Sequence, residues 1–191
     1  MNRNFFLLPF LFFSFAALGQ SESVPSKASY FFSVHTGGLL GGAGQGSSFT
    51  TSLIQGVRVK KFAFGVGLGY DALAEWRTLP VSGIVRFDFA KAGRDNFYFQ
   101  LDGGYAKAWL PDIDESQFNF RERGGIFFHP QIGYRINAEK VKVYMSAGYK
   151  LQRLEYEQAT TWWSGWGQSV NKYYVTRDIE RISIQIGFGL N

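Results

Sequence analysis

Phe62-Ala63-Phe64-Gly65-Val66-Gly67-Leu68-Gly69-Tyr70-Asp71 decides the fold. Phe62, Phe64, Val66, Leu68 and Tyr70 share one parity; Ala63, Gly65, Gly67, Gly69 and Asp71 share the other. Side chains of an extended strand alternate between two faces, so this segment presents a bulky apolar face and a small-residue face. The period is two, and no amphipathic helix of period 3.6 fits it.

The same alternation runs through most of the chain. Val81, Gly83, Val85, Phe87 and Phe89 oppose Ser82, Ile84, Arg86 and Asp88. Phe97, Phe99, Leu101, Gly103 and Tyr105 oppose Tyr98, Gln100, Asp102, Gly104 and Ala106. Further on come Phe128 to Ile136, Val141 to Leu151 and Ile182 to Leu190. Two weaker segments, Tyr30 to Thr36 and Ser48 to Val59, precede them, with Gln55 interrupting the apolar parity of the second. The segments number eight. A strand of about ten residues at about 3.3 Å each, tilted, crosses an apolar band of about 25 Å.

The N-terminus predicts export. Arg3 lies in a polar head, Phe5 to Leu18 is apolar, and Ala17-Leu18-Gly19 places small residues before Gln20. This is the layout of a cleaved signal peptide over residues 1–19. The apolar run falls short of the roughly 20 residues that a spanning helix needs. Residues 20–27 read as a periplasmic lead-in and residues 28–191 as the barrel. The chain has no Cys, which removes a disulfide scaffold and a thiol nucleophile. Net charge is +5 and the basic residues are scattered, so no nucleic-acid footprint appears.

Connection lengths predict which end is which. Lys60-Lys61, Ala90 to Asn96 and Asn137 to Lys140 are short, Gly37 to Ser47, Leu110 to Gly124 and Gln158 to Asn171 are long, and Leu73 to Thr78 is intermediate. Short periplasmic turns and longer external loops are the habit of outer-membrane barrels. The five Trp (Trp76, Trp109, Trp162, Trp163 and Trp166) fall at or beyond the long-loop ends, as interfacial or loop aromatics. Phe62, Phe87, Phe89, Phe97, Phe99, Tyr134 and Phe188 fall near the short-turn ends, which together predicts two aromatic girdles. A soluble barrel is the competing reading of the alternation. Its outer face would carry dense Lys and Glu, whereas the polar parity here is Gly, Ala and Ser punctuated by a few charges.

The chain resembles the small outer-membrane β-barrel proteins, the group with an eight-stranded transmembrane domain similar to outer-membrane proteins A and X. The resemblance covers Tyr30 to Asn191. It rests on the signal ending Leu18-Gly19-Gln20, on Gly69-Tyr70, Gly104-Tyr105, Gly133-Tyr134 and Gly148-Tyr149, and on the last strand. It implies an all-β fold: a single eight-stranded antiparallel up-and-down transmembrane barrel in the bacterial outer membrane, both mature termini periplasmic. In the family the last strand ends in an aromatic residue and signals to the barrel-insertion machinery; here Phe188 stands three places before Asn191.

The chemistry is sparse. Arg58, Arg86, Asp88, Asp102, His129, Arg135, Lys142 and Lys150 share the polar parity and are expected to form a charge network in the lumen, where a buried charge needs a partner. A filled lumen is the default for eight strands; a charged constriction in a narrow channel for small solutes is the alternative. A lipid A-modifying enzyme would need His35 or His129 beside a hydroxyl such as Ser33 or Ser146, and the sequence shows no supporting pattern beyond Ser33 and His35 at alternate positions. No metal site, cofactor or catalytic residue is expected; Asp112-Ile113-Asp114-Glu115 lacks the Gly-containing loop of a Ca²⁺ site. The expected role is a structural or binding barrel whose external loops, 110–124 and the Trp162–Trp166 segment, contact lipopolysaccharide, a glycan or a partner protein.

Overall fold

A computed structural model describes residues 28–42, 46–74, 76–110, 121–138, 141–164 and 167–190; for 121–122, 158–164 and 167–171 only the backbone is described. The signal-peptide and lead-in readings for residues 1–27 lie outside the described residues.

Eight strands follow in chain order: β1 (Ala28–Gly41), β2 (Ser47–Val59), β3 (Phe62–Ala72), β4 (Arg77–Ala92), β5 (Asp95–Trp109), β6 (Arg121–Asn137), β7 (Val141–Ser164) and β8 (Gly167–Leu190). Each pairs antiparallel with its neighbours in sequence, and β8 returns to β1, from Phe32↔Leu190 to Gly41↔Arg181. Closure leaves the barrel wall without an unpaired sheet edge.

The parities of the sequence become the two faces of the wall. Phe64, Val66, Leu68, Val81, Ile132 and Ile184 are all exposed on the outside. Ser33, Asp71, Arg86, Gln100, Gln131 and Ser183 are buried inside. A surface with its apolar side out and its polar side in is the inverse of a soluble barrel. Near the short-turn end the outer rings pack in pairs: Phe62 on Phe87 at 4.9 Å and Phe97 on Tyr134 at 4.8 Å between centroids.

The short-turn end closes tightly. Lys60-Lys61 joins β2 to β3 with Lys60 at φ 56°, and Gly93-Arg94 joins β4 to β5 with Gly93 at φ 65°. Left-handed backbone of this kind lets a hairpin reverse in two residues. Asp95 ties the neighbouring turn by accepting from the Asn137 amide (2.9 Å) and the Tyr134 hydroxyl (2.8 Å). A bulge between Asp88 and Ala90 keeps Asp88 inside and Phe89 outside.

Several connections are shorter than the sequence reading has them; β6 already starts at Arg121, inside Leu110 to Gly124, and β4 at Arg77, inside Leu73 to Thr78. Most of Gly37 to Ser47 is ladder, paired up to Leu40↔Ser47. Ala90 to Asn96 is ladder up to Ala92↔Asp95. Gln158 to Asn171, expected as a loop, continues the β7–β8 pairing to Ser164↔Gly167, and both strands are 24 residues long. The reason is that a hairpin ladder needs only backbone N–H and C=O groups; hydrophobic alternation is required only where one face meets lipid or core. The inequality between the two ends survives as a projecting two-stranded ribbon.

Candidate functional site

The lumen collects the chemistry of the chain, and it is packed in layers. Nearest the short turns, Asp88 on β4 accepts from Arg135 Nη1 (3.2 Å) and Nη2 (2.8 Å), and Arg58 Nη1 stands 3.7 Å from the same carboxylate. Lys142 is half-buried at this level. Bidentate pairing is the strong form of the Arg–carboxylate contact.

One step further in, Arg86 crosses the barrel. Its guanidinium carbon lies 4.7 Å from the Tyr98 ring, 4.7 Å from the Tyr144 ring and 5.6 Å from the Phe31 ring. All four residues are about 1% exposed. Cations stack on aromatic faces in this way when water is excluded. Arg86 Nε donates to Gln100 Oε1 at 2.7 Å, and Nη2 donates to the same oxygen.

The middle layer is a relay of amides and acids. Gln100 Nε2 donates to Asp102 Oδ1 (2.8 Å), and Gln131 Nε2 donates to Asp102 Oδ2 (2.8 Å). Above it, Lys150 on β7 pairs with Asp71 on β3, which also accepts from Thr50 (2.6 Å) and Thr78 (3.0 Å). A cavity of about 30 Å³ lined by Thr50, Asp71, Asp102, His129, Lys150 and Gln185 adjoins this pair, room for about one or two waters. Toward the long-hairpin end lies a buried apolar cluster: Leu39, Leu73, Trp76, Ala108, Leu154 and Ile179.

A serine and a histidine do meet here. His129 Nε2 is 2.7 Å from Ser183 Oγ, and its Nδ1 is 3.7 Å from Asp102. The hydrogen positions follow from the neighbours. Ser146 donates to Gln131 Oε1 (3.0 Å), which turns the Gln131 nitrogen toward Asp102 and toward His129 Nδ1 (3.3 Å). His129 Nδ1 therefore accepts, Nε2 carries the hydrogen, and Ser183 receives it. A base must accept from its nucleophile, so this tautomer leaves Ser183 unactivated. Ser183 is also 0% exposed. His35 sits 3.0 Å from Ser33, likewise buried.

The structure thus gathers Arg58, Arg86, Asp88, Asp102, His129, Arg135, Lys142 and Lys150 on the lumen side. Their partners were partly invisible in sequence. Asp71, Gln100 and Gln131 lie on the inward parity and that signal alone would have included them. Phe31, Tyr98 and Tyr144 lie there too, as bulky rings on a face otherwise of small and polar residues. Trp76 departs from the interfacial expectation: it is buried in the apolar cluster, its ring 5.5 Å from that of Tyr156. The apolar cluster offers more contact to a large ring than the rim does. Trp109 is half-buried, 6.2 Å from the Tyr70 ring. The side chains of Trp162 and Trp163, and Trp166 altogether, lie outside the described residues.

On the outer wall, a depression of about 390 Å³ lies where Ile126, Phe128 and Leu151 meet Arg153, Asp178 and Glu180. It marks the upper edge of the apolar band.

No protein-family model and no curated protein sequence matches the chain. Among solved structures it is similar to Neisserial surface protein A (NspA), known from a crystal structure, at 14% identity and a TM-score of 0.56 over 85% of this chain and 97% of that one. It is also similar to outer membrane protein AlkL, solved by solid-state NMR in DMPC lipid bilayers, at 14% identity and a TM-score of 0.45 over 90% of this chain and 96% of that one. The closed ring of eight strands and the likeness to Neisserial surface protein A agree on an eight-stranded barrel fold, at an identity that carries the fold alone.

Proposed function

We propose that this protein is a non-conducting barrel of the bacterial outer membrane, a scaffold that holds the β7–β8 ribbon outside the cell. In this reading residues 1–19 are removed on export, the barrel-assembly machinery inserts the chain, and the turns at Lys60-Lys61 and Gly93-Arg94 face the periplasm with both mature termini. The observation that carries it is the lumen: the Phe31–Arg86–Tyr98–Tyr144 layer and the Leu39–Trp76–Leu154–Ile179 cluster lie buried inside the ring of strands at two different heights. Eight strands leave an interior that side chains fill. The exposed apolar exterior supports the membrane.

The external surface is then the place of contact. An apolar floor of Ile126, Phe128 and Leu151, below the Arg153–Asp178 pair and Glu180, suits an acyl chain of an outer-membrane lipid. A lipid-modifying activity is not part of this reading, because Ser183 is sealed in the lumen and accepts its hydrogen bond from His129.

Planar-bilayer recording of the purified protein tests the proposal. The expected record has no stable open level. A reproducible unitary conductance would replace this reading with a narrow solute channel. A mature protein that stays soluble and monomeric without detergent would remove the membrane itself.

A further inference from the structure

The turn-side half of the lumen carries more positive charge than its acids answer. Arg58, Arg86, Arg135 and Lys142 point into it, and among the described residues Asp88 is the carboxylate within ion-pair distance of this set. Asp88 engages Arg135 and Arg58. Arg86, about 1% exposed, binds only a neutral amide oxygen.

Several donors there have no hydrogen-bond partner among the described residues: Arg86 Nη1, Arg58 Nε and Nη2, and the Tyr144 hydroxyl. They share one neighbourhood. Arg58 and Arg86 stand over the same Phe31 ring at 5.8 and 5.6 Å, and Arg86 lies against the Tyr144 ring at 4.7 Å. Buried polar groups in native proteins are nearly always hydrogen-bonded, and a buried cation needs a counter-charge. Stacking on rings satisfies the face of a guanidinium but not the N–H groups in its plane. Water would answer the donors and leave the charge; an anion answers both.

We propose that this layer binds a small inorganic anion of about chloride size, held by Arg86, Arg58 and Tyr144. The packing bounds the size from above. Tyr98 and Tyr144 are 6.1 Å apart between centroids. Both are backed directly by glycine: a Cβ on Gly133 would fall 2.4 Å from Tyr98 Cζ, and one on Gly189 would fall 2.9 Å from Tyr144 Cε2. With no space behind them the rings do not retreat for a bulky headgroup. Between this layer and the short-turn end lie buried Arg58 and half-buried Lys142. This site stands on lumen geometry alone and is independent of whether the barrel conducts.

The test uses the full mature chain refolded in detergent. Its thermal midpoint is followed as chloride replaces gluconate at constant ionic strength and pH. The midpoint is expected to rise with chloride and saturate, as linkage requires of a ligand bound only by the folded state. Crystals grown in bromide should show an anomalous peak among Arg58, Arg86 and Tyr144. Tyr144→Phe keeps the ring stack and removes one donor to the ion, so its apparent chloride affinity should fall about tenfold. A midpoint indifferent to chloride, or bromide at the protein surface only, overturns the proposal. So does chloride dependence undiminished in Tyr144→Phe, which would place the ion elsewhere.

Discussion

Lys150 reaches across the full width of the barrel to pair with Asp71. The two sit on β7 and β3, strands diametrically opposed in the ring of eight, and 79 positions apart in sequence. Thr78 donates to the same carboxylate oxygen as Lys150, and Thr50 donates to the other. A cross-barrel pair this well satisfied holds opposite walls at one spacing.

Removing one partner strands the other. Asp71→Ala leaves Lys150 buried without its counter-charge and should cost about 3 kcal/mol of stability. The double variant Asp71→Ala/Lys150→Met should recover most of that loss. Urea unfolding in phospholipid vesicles gives both numbers; additive losses in the double variant would show that the two side chains are not coupled.

Charge on the outer wall should cost according to depth. Val66 lies mid-strand on β3, and Val59 lies at the end of β2 beside the Lys60-Lys61 turn, both facing outward. Val66→Arg is expected to cost about 2–4 kcal/mol and Val59→Arg at most about 1 kcal/mol, as for lipid-facing positions at the midplane and at the interface. The same vesicle titration compares them. Equal costs would contradict a bilayer centred on β3.

Gly187 makes room for one ring. A Cβ there would lie 2.6 Å from His35 Nδ1 and 2.8 Å from Cγ and Cε1, with no other heavy atom nearer. Gly187→Ala should destabilise the barrel by about 1–3 kcal/mol through overpacking. Adding His35→Ala should relieve the clash, so the double-mutant cycle should show a coupling of at least about 1 kcal/mol. No coupling would mean that the strain is in the backbone.

The ribbon above the apolar band carries a titratable cross-strand pair. Arg153 on β7 is in register with Asp178 on β8 and donates to it through Nε (2.9 Å) and Nη2 (3.2 Å). These hydrogen bonds, with the positive charge behind them, hold the Asp178 carboxyl below its ordinary range. The sign follows: a folded pKa below the unfolded one gives stability that is present above about pH 3.9 and lost as pH falls through the depressed value. Both side chains are well exposed, so the consequence is local order of the ribbon rather than global stability. Carboxylate-detected NMR should show Asp178 titrating below the usual Asp value, and Arg153→Gln should return it. An ordinary value in the wild type would mean that the pair is not populated in solution.

The sequence by itself determined the wall. Parity of two over Phe62 to Asp71, and over its counterparts, was enough to number the strands and to separate the apolar face from the lumen face. It sufficed because alternation is a local property of an extended backbone and needs no knowledge of neighbours. It failed at the β7–β8 ribbon, where polar residues continue a ladder that only the backbone holds, so strand looked like loop. Only the tertiary structure decided who meets whom inside. Lys150 with Asp71, His129 with Ser183, and Arg86 between Tyr98 and Tyr144 are set by closure of the ring and by inter-strand register. Parity points a side chain inward, but strands far apart in sequence face each other across the lumen only once β8 has paired with β1, and that pairing fixes the height at which each side chain arrives.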